Sequence, residues 1–540
     1  MVMKGTFVDR STHLGAGAGP GAAAGLRAAA GLDAGPAELA AGQVADVVVA
    51  GYGPAGACAA IAAHDSGASV IIVEAATRGG GNARYSGGFL FDVPEPRTVD
   101  HLDALCFGRT ARPVLAAYAD GLHEIDQWLT SLGGSTVAFD PPAARLPAPF
   151  PSWPHFPAGG SIRYRVTAGG DGRRGEALWQ LLDAAVRERG IPVYFETAAC
   201  RLVLDQEEVT GLVVTRDGAE TTLCARGGVL LACGGFEADA SLTDAYLPLG
   251  PAWPVGCPTN TGAGLRMAQA AGADLWHMYG FFGWFAVRTP QFAAPFAVDF
   301  CAPSYLFVDS DGRRFADETG HEVHDRLRAL LSYFPHNGNR PRLPSWAIFD
   351  EVTRLAGPLN GLLGTPNDYA WSADNSAEVD RGWIVSADSP ADLAARIGVD
   401  RDVLESTLAE YNAAAHAGQD RRFGRSADTL VPIDTGRLYA IETWPGIAGT
   451  TGGPRHDERA QVVRPDGQPV PGLYAAGAVS LVWGHLIEHG GGLTDAIAFG
   501  RIAGRDAAER SGRNAGRDAA DKTAVSVDRQ AENAGKADGR

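Results

Sequence analysis

The segment Gly484-His485-Leu486-Ile487-Glu488-His489-Gly490-Gly491-Gly492 sets two imidazoles and a carboxylate beside three consecutive glycines. Imidazole takes and returns protons near neutral pH, and a glycine run lets a backbone come close to something flat or charged. Acid–base catalysis beside such a group is the chemistry this stretch could do, with His485, Glu488 and His489 as proton carriers. If the segment is extended, His489 and Glu488 point to opposite faces, so one of the two should meet a substrate. His489 abuts the glycines and is the stronger candidate. The bland alternative is that His485 packs structurally and Glu488 faces solvent.

What the flat or charged partner could be follows from residues far upstream. Gly51-Tyr52-Gly53-Pro54-Ala55-Gly56 fits G-x-G-x-x-G. It stands between the β-branched run Asp46–Ala50 and an alanine-rich helical stretch, and a second strand, Ala68–Val73, ends at Glu74. In that setting Gly51 permits the tight turn, Gly53 lets the backbone approach a pyrophosphate, and Gly56 lets the helix pack on the sheet. The helix start offers unpaired N–H groups to the phosphates. Glu74 is placed to accept from an adenosine ribose and would repel a 2′-phosphate, which disfavours NADP. Between FAD and NAD, the second glycine loop Arg78–Gly88 decides. An NAD domain needs no such loop directly after the acid, whereas an extended flavin does.

These groups need a scaffold of alternating strands and helices. Ile191–Phe195 and Gly228–Ala232 read as strands, the latter running into Cys233-Gly234-Gly235. Arg201–Leu204 and Val209–Thr215 read as a hairpin, and Gly472–Gly477 repeats the strand-then-glycine style before a last helix. The fold class is α/β: a Rossmann-like domain over residues 44–273 and 434–510 with an inserted α+β cap over 274–433, where the strand–helix rhythm is lost. Residues 1–43 are expected to be a disordered leader. The charged stretch 511–540, almost without large apolar residues, is expected to be a disordered tail.

Composition narrows the partners. With 45% hydrophobic and 20% charged residues among 540, the chain reads as a soluble globular protein. A formal charge of −17 argues against nucleic acid as the main partner. The seven cysteines form no C-x-x-C pair. Reduced thiols, a cytoplasmic location and no metal site are expected. No stretch is long and apolar enough for a signal peptide core or a membrane span.

The block from DVVVAGYGPAGACAAIAAHDSGASVIIVE to GGGNARYSGGF, with GVLLACGGFE, TNTGAGLRMAQAAGADL and LFVDSDGRRFADE, resembles the fumarate reductase flavoprotein superfamily. PVPGLYAAGAVSLVWGHLIEHGGGLTDAIAFGRIAG is closest to its 3-ketosteroid dehydrogenase branch. The resemblance covers roughly residues 44 to 510. It implies non-covalent FAD between the large domain and the cap, held by Gly51, Gly53, Pro54, Ala55, Gly56, Glu74, Ala75, Gly80, Asn82, Ala83, Ser86, Gly87, Gly88, Ala199, Cys233, Gly234, Gly235, Gly477, Gly491, Gly492 and Leu493. It further implies a proton relay through Glu318 and the position three later, His321, and a substrate-protonating arginine at Arg354. Glu351, one turn from Arg354, offers that arginine a plain surface pairing instead.

Two departures narrow the substrate. The dicarboxylate reductases of this superfamily clamp substrate with a histidine before T-x-G-G and an arginine before the final glycines. Here Gly446–Gly453 holds no histidine, and Glu488-His489 stands where the arginine would be. The ketosteroid branch carries a tyrosine where this chain has Ile487. The aromatic run Trp276–Phe285 reads as core packing or as an apolar wall for a ring-shaped substrate. The expected function is FAD-dependent desaturation, or reduction, of a carbon–carbon bond beside a carbonyl in a bulky apolar substrate, with a separate electron acceptor or donor. A small-enoate reductase and a non-catalytic flavin sensor are the rivals.

Overall fold

In the computed structural model, residues 39–94, 96–139, 152–168, 174–320, 322–332, 338–360, 364–434 and 436–537 are described. The expected leader lies almost wholly outside them. Val47, Val48 and Val49 are completely buried, as a β-branched run must be when both faces of its sheet are covered. Their strand, Gln43–Ala50, pairs in parallel with Val70–Val73 on one side and with Ala219–Leu231 on the other. Val193–Tyr194 extends the parallel set beyond the first, and Pro469–Ala475 beyond the second. The hairpin Ala198–Asp205 and Glu208–Arg216 joins this sheet antiparallel to Ala219–Leu231. Ala475, Leu231, Ala50 and Val73 stand in register at one edge. The loops leaving that edge carry Gly477, Cys233-Gly234, Gly51 and Glu74. A crevice outside the carboxyl ends of parallel strands is where such folds take a ligand.

The helix Pro54–Asp65 is buried over ten consecutive residues, so it is apolar all round rather than striped. The last helix, Gly491–Ala537, lies against it through small residues. A Cβ on Gly500 would come within 2.6 Å of Ala55 O, and one on Gly504 within 2.2 Å of Ala59 O. Both partners advance by four, so the two helices run in the same direction, the last one starting about 12 Å ahead of the other along the shared axis. The last helix is described through Ala537.

A second sheet stands over the crevice in the order Phe296–Ala297, Phe281–Val287, Leu438–Thr450, Ser345–Asp350, Tyr305–Val308. Trp253–Pro254 and Ile384–Ala387 also pair with Leu438–Thr450. The cap therefore takes its central strand from beyond residue 433 and one edge from before 274, shifting the expected bounds at both ends. Pro445, Gly446 and Gly449 disguise that strand in the sequence. Behind the sheet pack Phe285, Phe296, Phe307, Phe349, Trp371 and Trp383. A small antiparallel sheet of Phe89–Asp92, Thr136–Ala138 and Arg163–Thr167 brings Phe89 to the crevice wall.

Candidate active site

The crevice is one elongated cavity walled by both sheets. At its first end Gly51 has φ +105°, and a Cβ there would sit 2.3 Å from Ala232 O, so only glycine turns the chain here. A Cβ on Gly56 would lie 2.0 Å from Gly51 O. Gly56 thus serves helix packing and does not line the cavity. Gly53 is the opposite case: a Cβ would meet nothing within 4 Å, and the residue opens onto the cavity at the start of the helix, before Pro54. That space and those helix N–H groups suit a pyrophosphate. Among the described residues no arginine or lysine lines the cavity, so backbone N–H groups must meet the phosphate charge.

Glu74 lines the same end and is buried. Its Oε2 accepts from Tyr52 N–H at 2.7 Å and its Oε1 from Ala76 N–H at 2.8 Å. Burial raises its pKa, against those backbone donors. The carboxylate fixes the glycine turn and keeps lone pairs for ribose hydroxyls. Glu74→Ala should weaken FAD binding by about 1.5–3 kcal/mol, measured by titrating apoprotein with FAD. Pro54, Ala55, Ala75, Asn82, Ala83, Ser86, Gly87, Gly88, Ala199, Cys233, Gly234, Gly477, Gly491, Gly492 and Leu493 also line the cavity. Gly80 and Gly235 do not. Gly80, at φ +107°, sits against Arg84, and Gly235 against Thr450 and Glu237. Asn82 bridges the two sheets' loops, donating to Ala448 O at 2.9 Å and accepting from Cys257 N–H at 2.6 Å.

At the other end His489 is buried with its ring edge-on to Phe89, centroids 4.2 Å apart. Its Nδ1 lies 3.3 Å from Glu322 Oε1, and His324 Nδ1 lies 2.7 Å from that same oxygen. Glu322 Oε2 accepts from His324 N–H at 2.7 Å. The two histidines line the cavity, and Glu322 stands behind them. Burial opposes ionisation of Glu322, but His324 and His489 pull its pKa down to about 2, so it is an anion. Burial lowers the pKa of His489, which is neutral at pH 7. Phe282 and Trp284, alternate residues of one strand, and Ile487 complete this wall. Two rings of the aromatic run therefore face the cavity, while Phe281 and Phe285 on the opposite face join the core.

Of the other described acid–base candidates, Glu488 also lines the cavity, and its Oε1 accepts from His489 N–H at 3.0 Å, whereas His485, Glu318 and Arg354 do not line it. Glu488 is fully buried rather than solvent-facing. Its Oε1 accepts from Tyr164 Oη–H at 2.6 Å, and its Oε2 lies 3.1 Å from His101 Nε2. Both carboxylate oxygens are thus committed to Tyr164 and His101. His485 packs on Phe107, centroids 4.7 Å apart, with Nδ1 3.3 Å from Tyr279 Oη, and does not line the cavity. Glu318 is clasped inside the cap by Arg314 at 2.7 Å and Arg425 at 3.0 Å. Arg354 holds Glu351 at 2.8 Å. Neither lines the cavity, because each is committed to charges of its own domain. His321 lies outside the described residues. Glu322 was missed in the sequence, though the run Glu322-Val323-His324 carried the signal: a carboxylate two residues before an imidazole can reach its Nδ1.

Glu322, His324 and His489 offer three ligand-type atoms within 4.8 Å of one another. Contacts of 2.7 and 3.3 Å to one oxygen are hydrogen-bond lengths that satisfy both rings without an ion. Dialysis against a chelator should leave turnover unchanged. Loss of activity restored by a divalent metal would make these residues ligands.

A glycine-turned parallel sheet, an anion-ready helix start and a second sheet closing the crevice define a dinucleotide-binding flavoprotein. The chain belongs to the FAD binding domain family, whose model it matches over residues 46–494, and FAD is its cofactor. It is 33% identical over 364 residues to 3-oxosteroid 1-dehydrogenase of Mycolicibacterium smegmatis, covering 62% of each chain. It is 27% identical over 491 residues to NADH:fumarate oxidoreductase of Klebsiella pneumoniae, covering 86% of this chain and 48% of that one. The matches thus span 62% and 48% of these relatives' lengths. The fold is that of 3-ketosteroid delta1-dehydrogenase from Sterolibacterium denitrificans, with a TM-score of 0.75 at 24% identity, covering 86% of this chain and 100% of that one. The expected α/β class and superfamily are those found. Among the described residues no helix is long and apolar enough to cross a membrane.

Proposed function

We propose that this chain desaturates, or in reverse reduces, a carbon–carbon bond next to a carbonyl in a bulky, largely apolar, ring-shaped substrate. The observation that carries the reading is His489: a buried imidazole beside Gly490–Gly492, backed by Glu322 and walled by Phe89, Phe282, Trp284 and Ile487. When bound, FAD supplies a two-electron acceptor for hydride from one carbon. His489 takes the proton from the neighbouring carbon, using Nε2 while Nδ1–H is held by Glu322. The rings exclude water and offer apolar surface to a ring-shaped substrate. The seven free thiols fit a cytoplasmic enzyme, and a separate electron acceptor reoxidises it.

The absence of arginine and lysine from the described lining disfavours a dicarboxylate, which would face desolvation without a counter-charge. Fumarate should therefore fail to reoxidise the photoreduced enzyme, whereas cyclic enones should do so. Efficient turnover of fumarate would establish the rival small-enoate reductase, and indifference to every enone would favour a sensor. A pH prediction follows from the same base. Only neutral His489 accepts the proton, and its pKa lies below the ordinary histidine value of about 6.5. The rate of flavin reduction should hold from pH 8 down through about 6.5 and fall only at lower pH. An acid limb above pH 7 would contradict this assignment.

A further inference from the structure

We propose that His324 is the electrophile of this site, donating from Nε2–H to the substrate carbonyl oxygen while His489 takes the proton from the α-carbon and Glu322 holds both rings. This rests on the reaction class proposed above. A carboxylate only accepts hydrogen bonds, so Glu322 Oε1 fixes a proton on Nδ1 of each ring. The protonation state of each ring then resides at Nε2. The two rings are 4.8 Å apart, centroid to centroid, and one carboxylate between them balances one cation, not two.

Geometry places that cation on His324. Its Nδ1 contact with Glu322 is 2.7 Å against 3.3 Å for His489, and its backbone N–H holds the second carboxylate oxygen. Short contacts of this kind mark charge-assisted bonds. Glu322, His489 and Asp299 are among the titratable groups that interact with His324. Trp284 meets the ring edge-on at 4.3 Å and Phe282 at 5.8 Å, which fixes its direction. Tyr164, the hydroxyl-bearing ring nearest His489, gives its proton to Glu488.

The electron balance needs such a donor. The α C–H bond breaks toward His489, and its pair moves onto the carbonyl oxygen. The pair returns as the double bond when hydride leaves the β-carbon for FAD. Negative charge gathers on oxygen between those events, where a preorganised donor contributes most.

Phenolates mimic that enolate and can be tested on the FAD-loaded protein without knowing the substrate. A para-substituted phenol should bind as its anion and produce a long-wavelength charge-transfer band with oxidised flavin. His324→Gln should lower its affinity about 10- to 100-fold with the flavin spectrum otherwise intact. Glu322→Gln should weaken phenolate binding selectively, because the carboxylate that orients the His324 ring is gone, while affinity for the matching anisole, which carries no anion, stays unchanged. Structural damage alone would lower both affinities together. Wild-type phenolate affinity in His324→Gln, or equal losses for phenol and anisole in Glu322→Gln, overturns the assignment while leaving the reaction class standing. If no phenol gives the band with the wild-type protein, no enolate is held over the flavin, and the proposed reaction falls with it.

Discussion

Replacing His489 by alanine is expected to slow flavin reduction by about 10²–10⁴-fold, the usual cost of removing a proton-transfer group, while FAD stays bound. The residues expected to hold FAD at Gly51, Gly53, Glu74 and Gly490–Gly492 present backbone or a carboxylate, and the imidazole is not among them. The lost packing against Phe89 costs far less than the lost base. Anaerobic stopped-flow with a reducing substrate separates the two, because flavin content is read from the same trace before mixing. Reduction at the wild-type rate would move the base to His324.

Glu318→Ala should behave in the opposite way. The carboxylate is completely buried and contacts two arginines, Arg314 and Arg425, themselves 5% and 0% exposed. Arg314 has Asp420 as a second partner at 2.8 Å, and Arg425 otherwise holds carbonyls such as Tyr305 O at 2.7 Å. Removing Glu318 leaves buried positive charge uncompensated, a loss of about 3–5 kcal/mol of stability. Urea unfolding of the FAD-loaded protein should register that loss, and protein that remains folded should reduce its flavin at the normal rate. A variant of undiminished stability that turns over slowly would restore Glu318 to a proton pathway.

These two variants mark where the sequence was legible. The first crevice end was readable because its chemistry is local. Gly51, Gly53 and Gly56 sit on one turn, and Glu74 ends the very next strand, so spacing carried the geometry. The catalytic end was only half readable. His489 announced itself beside its glycines, but Glu322 and His324 reach it from the cap, 167 and 165 residues away in sequence, and no periodicity encodes that meeting. Glu318 and Arg354 had the right residue types in motif-like settings. Their commitment to Arg314, Arg425 and Glu351 depends on tertiary neighbours. The strand Leu438–Thr450 was hidden by its proline and glycines, which its many strand partners tolerate.

The parallel pairing of Pro54–Asp65 with Gly491–Ala537 bears on the empty protein as much as on the loaded one. Each helix concentrates about half a positive charge at its first turn, and no carboxylate lies in the first turn of either. Gly500 meets Ala55 and Gly504 meets Ala59, so the last helix starts about 12 Å ahead of its neighbour along the shared axis, and both starts, at Gly53-Pro54 and at Gly491-Gly492, open on the same cavity. A bound anionic cofactor therefore adds stability that the unloaded chain lacks, and the melting temperature should climb with FAD concentration.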